Sequence, residues 1–98
     1  MTAEEVVDVE IERLSNAMAL SDDQKQKVLQ FLRNEWSQLL AFLQRNPGIS
    51  RGELFQRLQI IHSSGRAQIA AFLSPEQLTT WDDETAKAME RLSQKLAA

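Results

Sequence analysis

The chain lacks cysteine and tyrosine and has only three glycines and two prolines among its 98 residues. The absence of cysteine excludes a disulfide framework, a thiolate nucleophile and thiolate metal ligands. So few glycines and prolines are typical of a helical protein with few turns. No apolar run approaches the roughly 20 residues of a membrane-spanning helix, so we expect no integral membrane segment. The acidic start does not resemble a signal peptide, and composition leaves the compartment open.

Charge is distributed unevenly along the chain, although its net value is only −3. Residues 24–72 carry seven basic and two acidic side chains, whereas the segments on both sides are net acidic. One interpretation is that the acidic first helix lies along this basic centre and neutralises it. The other is that the centre forms a positive surface for anionic or unfolded partners. We expect no nucleic acid partner, because the pI is about 5.1 and no Lys/Arg cluster is interleaved with aromatic residues.

One five-residue phrase occurs twice, as Leu20-Ser21-Asp22-Asp23-Gln24 and Leu73-Ser74-Pro75-Glu76-Gln77. In each copy the serine is a candidate helix N-cap and the glutamine three residues later completes a capping box. The leucine before the serine suits a hydrophobic staple. The phrase therefore predicts a helix-turn-helix unit that occurs twice. The residues expected to act as structural caps are Leu20, Ser21, Gln24, Leu73, Ser74 and Gln77.

Apolar spacing predicts an all-α fold, with four helices over residues about 3–18, 22–45, 51–71 and 75–96 of one domain, 1–98. The short links between them favour an α-hairpin arrangement, in a bundle or a dimeric cradle. Ser63-Ser64-Gly65 is a weak helical stretch, where a kink or short break is expected. The apolar arc of the second helix spans roughly 180°, more than one antiparallel neighbour can cover, which predicts a homodimer.

Five residues are expected at a packing or dimer surface: Phe31, Glu35, Trp36, Phe42 and Ile60. Two of them admit two interpretations each. Glu35 projects inside the apolar arc, either as an edge carboxylate that reaches solvent or pairs with an arginine, or as a polar residue of an interface or groove. Ile60 lies among small residues, which suits close packing by another helix or subunit, but a single exposed isoleucine is also common.

No set of residues in the sequence suits catalysis. With one histidine, no cysteine and serines explained by caps or helix surfaces, a nucleophilic triad is not expected. Paired carboxylates lie near first helical turns, where the helix dipole explains them, and the glycines form no phosphate-binding loop. His62 is expected to be a partly buried structural residue, because no second His or Glu at ligand spacing accompanies it. We therefore expect no enzymatic activity, no cofactor and no metal site.

The repeated Leu-Ser-x-x-Gln phrase resembles the Leu-Thr-x-x-Gln motif of the Spy/CpxP-like family of bacterial periplasmic proteins. The second copy continues as Leu78-Thr79-Thr80-Trp81, similar to the polar residues and aromatic that follow the family's motif. The order helix, motif, long helix, turn, helix, motif, helix covers nearly the whole chain. Serine replaces threonine in both copies and keeps the cap chemistry. The spacing between the motifs is short for the founding chaperones, so the chain is similar to a short member.

The resemblance implies a periplasmic dimer of crossed α-hairpins that acts as an ATP-independent chaperone or envelope-stress regulator. Such proteins hold unfolded clients on a concave surface that combines positive charge with apolar patches. We therefore expect this chain to hold unfolded or envelope proteins, or a sensor domain, on its basic hairpin. The residues expected to bind them are Arg33, Arg45, Arg51, Arg57 and Arg66.

Two alternatives to a client-binding protein stay open. Other relatives bind zinc or sense nickel and cobalt, which implies a metal-responsive sensor or accessory protein for Zn, Ni, Co or Cu. In this chain His62 is the one histidine that such a site could use. The other alternative is a purely structural helical module that dimerises with a sensor domain.

Overall fold

The computed structural model describes residues 2–97, which form four α-helices joined by short links. The helices are α1 (Ala3–Ala17), α2 (Asp22–Arg45), α3 (Arg51–Ala70) and α4 (Pro75–Leu96). No strand occurs in the described residues, and the all-α prediction is confirmed. The first and third helices end one residue earlier than the apolar spacing predicts. None of the helices in residues 2–97 combines the length and hydropathy needed to cross a membrane.

Every helix begins at a serine or threonine whose side chain accepts a hydrogen bond from the backbone N–H three residues later. Three of these starts are complete capping boxes, in which the third residue also reaches back to the cap backbone. The three boxes pair Thr2 with Glu5, Ser21 with Gln24, and Ser74 with Gln77. Both repeated phrases thus begin helices through the cap chemistry that their residue types favour.

The helices pack as a ring in which each contacts the two beside it. α1 packs against α2 and α4, and α3 packs against the same two helices. Short links make successive helices antiparallel, within a particle of 39 × 22 × 18 Å. The links 18–21 and 71–74, which carry the two phrases, therefore lie at one end, which we call the motif end. The link 46–50 lies at the opposite end.

The core lies inside this ring and takes apolar side chains from all four helices. α2 contributes Val28, Leu32, Trp36 and Leu39, each 5% exposed or less. Its wide apolar arc packs against two neighbours of the same chain, α1 and α3, which leave part of it half-buried, namely Leu29, Phe31, Leu40, Phe42 and Leu43. Among the large apolar side chains described, Ile60 is the one left exposed, at 58%.

Gly65 allows α2 and α3 to approach closely. A Cβ at Gly65 would lie 2.5 Å from Cζ of Phe31 and 3.1 Å from its Cε1. The Phe31 ring is held in place by an edge-to-face contact with Trp81, with 6.1 Å between centroids. α3 continues through Gly65 without the break that its residue types suggest. This glycine provides space for an aromatic ring of the neighbouring helix.

We expect Gly65→Ala to lower the free energy of unfolding by about 1 kcal/mol. The overpacking cost, typically about 1–3 kcal/mol, exceeds the helix-propensity gain of about 1 kcal/mol. Gly52→Ala is the matched control, since nothing lies within 4 Å of a Cβ at that position, and it is expected to stabilise slightly. Urea denaturation of both variants measures the difference. Equal stabilisation by the two alanines would contradict the close approach.

Candidate functional site

The two repeated phrases meet at the motif end through their glutamine side chains. Nε2 of Gln24 donates to Oε1 of Gln77 at 3.0 Å, and Nε2 of Gln77 donates back to Oε1 of Gln24 at 3.1 Å. Each Nε2 also donates to a carbonyl two residues before the other serine, from Gln24 to Phe72 at 2.9 Å and from Gln77 to Ala19 at 2.8 Å. Exchanging the two helix-turn-helix units leaves this bonding pattern unchanged. The two phrases therefore bond to each other in a locally symmetric pattern centred between the glutamines.

This arrangement explains why both phrases end in glutamine. A capping box accepts either Glu or Gln at its third position, because the cap needs only an oxygen acceptor. Here each Oε1 accepts from the cap backbone and from the other glutamine, and each Nε2 makes two donor bonds. A primary amide has this donor and acceptor capacity, whereas a carboxylate has no donor. The capping role follows from the sequence, but the cross-link between the phrases is visible only in the fold.

A buried ion pair joins α1 to α4. The Glu10 residue is 0% exposed, and Arg91 donates to both of its carboxylate oxygens at 2.8 Å. Hydrogen bonding to Glu10 raises the pKa of Arg91 above its ordinary value. Sequence reasoning missed this pair. Its signal was that Glu10 shares the helical face of Val7 and Leu14, where an unpaired carboxylate would be costly.

A second polar cluster lies on the seam between α3 and α4. The His62 ring stacks on Trp81, with centroids 6.4 Å apart, and its Nε2 lies 3.3 Å from Oδ1 of Asp82. Arg66 donates to the same carboxylate, with 2.8 Å between Nη2 and Oδ2. The hydrogen bonds from Arg66 hold the pKa of Asp82 below its ordinary value. Residues 2–97 contain no group of three or more His, Asp or Glu side chains arranged to hold a metal ion.

Two of the five arginines expected to bind partners form ion pairs with α4. Nη2 of Arg51 lies 2.7 Å from Oε1 of Glu90, and Nη2 of Arg66 lies 2.8 Å from Oδ2 of Asp82. One interpretation of the charge pattern is that the acidic first helix neutralises the basic centre; part of that neutralisation comes from carboxylates of the fourth helix. The side chains of both arginines are about half exposed, and such pairs in solvent hold their partners weakly.

The other three arginines form no ion pair within 4.0 Å in the described residues. Arg57 lies over the Phe42 ring, with its Cζ 4.7 Å from the ring centroid. Arg45 is exposed and follows Phe42 by three residues, which makes the two neighbours on the surface of α2. Phe42, Arg45 and Arg57 together form what we call the hairpin surface. Arg33 lies apart from it, in a groove between α1 and α2.

The residues expected at a packing or dimer surface lie in different environments. Trp36 lies in the core. Phe31 and Glu35 lie at the seam of α2 and α3 beside Gly65, and Glu35 forms no ion pair within 4.0 Å in the described residues. Phe42 is half-buried beneath an arginine. Ile60 is exposed on the outer surface of α3, among glutamine and serine side chains.

Comparisons of the chain with protein-family models, with curated proteins and with solved structures found no match. The likeness to the Spy/CpxP-like family accordingly rests on the two phrases and on their helical context. The geometry adds that both phrases cap helices and that their glutamines bond to each other.

Proposed function

We propose that this protein is a non-enzymatic binding protein that holds partly unfolded or envelope proteins on its α2–α3 hairpin. The observation that carries the proposal is the hairpin surface, which joins a half-buried aromatic ring to two arginines that pair with no carboxylate in the part of the chain that the structure describes. A guanidinium stacked on a ring keeps N–H donors for acidic groups of a partner. The ring and the arginine stems supply apolar contact area. Such a surface accepts mixed acidic and apolar segments rather than one fixed ligand.

Residence in the periplasm and action as a chaperone or stress regulator are part of this proposal and are supported by the family resemblance. The proposed homodimer would bury outer surfaces of the bundle, including the part of the α2 apolar arc that one chain leaves half-buried. A metal-responsive role would need His62 and further ligands beside it. His62 is engaged by Trp81 and Asp82, and the described residues offer no group of three ligands.

We expect the native chain, in stoichiometric excess, to suppress light scattering by reduced α-lactalbumin, an acidic protein that aggregates as it unfolds. Reversing both charges of the hairpin surface, in Arg45→Glu/Arg57→Glu, should remove at least half of that protection because like charges then repel the client. Lys25→Glu/Lys27→Glu is the control, with the same charge change near the motif end. Absence of protection by the native chain would refute the proposal, and equal loss in both variants would refute its location.

A further inference from the structure

The inner face of α4 carries two polar groups that lack a hydrogen-bond partner in the described residues. They are the indole Nε1 of Trp81 and the hydroxyl Oγ1 of Thr85. Both residues are buried, at 2% and 4% exposure. They are four positions apart and therefore lie one above the other on the same side of the helix. Because burial without a hydrogen bond is costly, native interiors rarely leave two such groups together.

Both residues line the same small cavity, which has a volume of about 20 Å³ and lies between α2, α3 and α4. His62 also lines it, and most of the remaining wall is apolar. Space for roughly one water-sized sphere, about 10–15 Å³, is sufficient for a water molecule if two to four polar groups surround it. The cavity is too small for any larger ligand.

We propose that this cavity binds one structural water molecule that bridges the Trp81 indole and the Thr85 hydroxyl. An indole N–H can only donate, and a hydroxyl can donate or accept, so a water oxygen satisfies both. The Nε2 atom of His62 faces Asp82 at 3.3 Å, which leaves Nδ1 as the ring nitrogen for a third bond to the water. Three bonds are the usual number for a buried water. The water would link α4 to α3 inside the seam.

In an alternative arrangement the Trp81 indole N–H donates to the Phe31 ring, and the cavity holds no water. The Phe31 ring meets Trp81 at 68° with 6.1 Å between centroids, and an indole N–H can donate to the face of such a ring. The Thr85 hydroxyl would then be buried without a partner. Two measurements distinguish the arrangements. The indole proton of Trp81 receives magnetisation from water only if a water molecule is bound beside it. Removal of the Thr85 hydroxyl destabilises the protein if the hydroxyl bonds to that water, and stabilises it if the hydroxyl has no partner.

The first test is a water-to-protein cross-relaxation spectrum of the ¹⁵N-labelled full chain. We expect the Trp81 indole proton to show a cross-peak with a long-lived water. Trp36→Phe assigns the two indole signals, since the chain has two tryptophans. Thr85→Ser keeps the hydroxyl and should keep the cross-peak, which Thr85→Val should weaken. A Trp81 indole proton without a water cross-peak in the native chain would refute the proposal.

The second test is the stability of Thr85→Val, which removes the hydroxyl but keeps the branched shape of the side chain. We expect the equilibrium constant for unfolding to rise five- to tenfold, about the effect of one lost hydrogen bond. Thr79→Val is the control on the exposed side of α4 and should change stability little. If Thr85→Val is instead more stable than the native chain, the hydroxyl has no partner and the water site is wrong.

Discussion

Replacing Arg91 with methionine is expected to lower the free energy of unfolding by about 3 kcal/mol. The substitution leaves the fully buried carboxylate of Glu10 without its counter-charge and without two hydrogen bonds. Breaking a buried pair by removing one partner typically costs about 3–5 kcal/mol. We place the cost at the lower end because the Arg91 side chain is 28% exposed, so water can reach the site.

Two further variants separate the buried charge from other effects of the substitution. Glu10→Leu/Arg91→Met removes both charges and should recover most of the lost stability, since apolar replacement of a buried pair is often neutral. Arg51→Met removes an equally short but half-exposed pair with Glu90 and should cause little loss. Urea denaturation at pH 7 measures all three proteins. Similar losses for the Arg51 and Arg91 variants would show that the burial of Glu10 has no energetic consequence.

Gln24→Glu is expected to lower the free energy of unfolding by about 2 kcal/mol although it preserves the helix cap. The new carboxylate still accepts the hydrogen bond from the Ser21 backbone. It cannot donate to the Phe72 carbonyl or to Oε1 of Gln77, and each lost bond is worth about 1 kcal/mol. Gln77→Glu should have a similar effect, because Nε2 of Gln77 makes the equivalent bonds to the Ala19 carbonyl and to Oε1 of Gln24.

The matched control for these variants is Glu53→Gln. It makes the reverse exchange at the third position of α3, where Ser50 caps the helix and no cross-link to another motif is present in the described residues. We expect its effect to stay within about 0.5 kcal/mol. A cycle of Gln24→Ala, Gln77→Ala and the double variant should give a coupling of about 1 kcal/mol. Strictly additive alanine effects would contradict the direct bond between the amides.

The helices and their starts could be predicted because the interactions that determine them are local. A cap joins residues three apart, and the apolar stripes repeat with the helical period. Ser21 and Ser74 could therefore be assigned from a few neighbouring residues. The homodimer stays a prediction, because it depends on a quantity that is not local. The width of the apolar arc of α2 indicates how much surface must be covered, but not whether α1, α3 or a second chain covers it.

By itself, the sequence determined an all-α chain, its four helices, its two capped links and its basic centre. Only the tertiary structure decided that Gln24 bonds to Gln77, that Glu10 pairs with Arg91, and which arginines find no carboxylate partner among residues 2–97. The physical reason is the range of the interactions involved. Helix caps and periodic stripes act within one or two turns, whereas these pairs join residues 53 and 81 positions apart, which meet only when the helices pack.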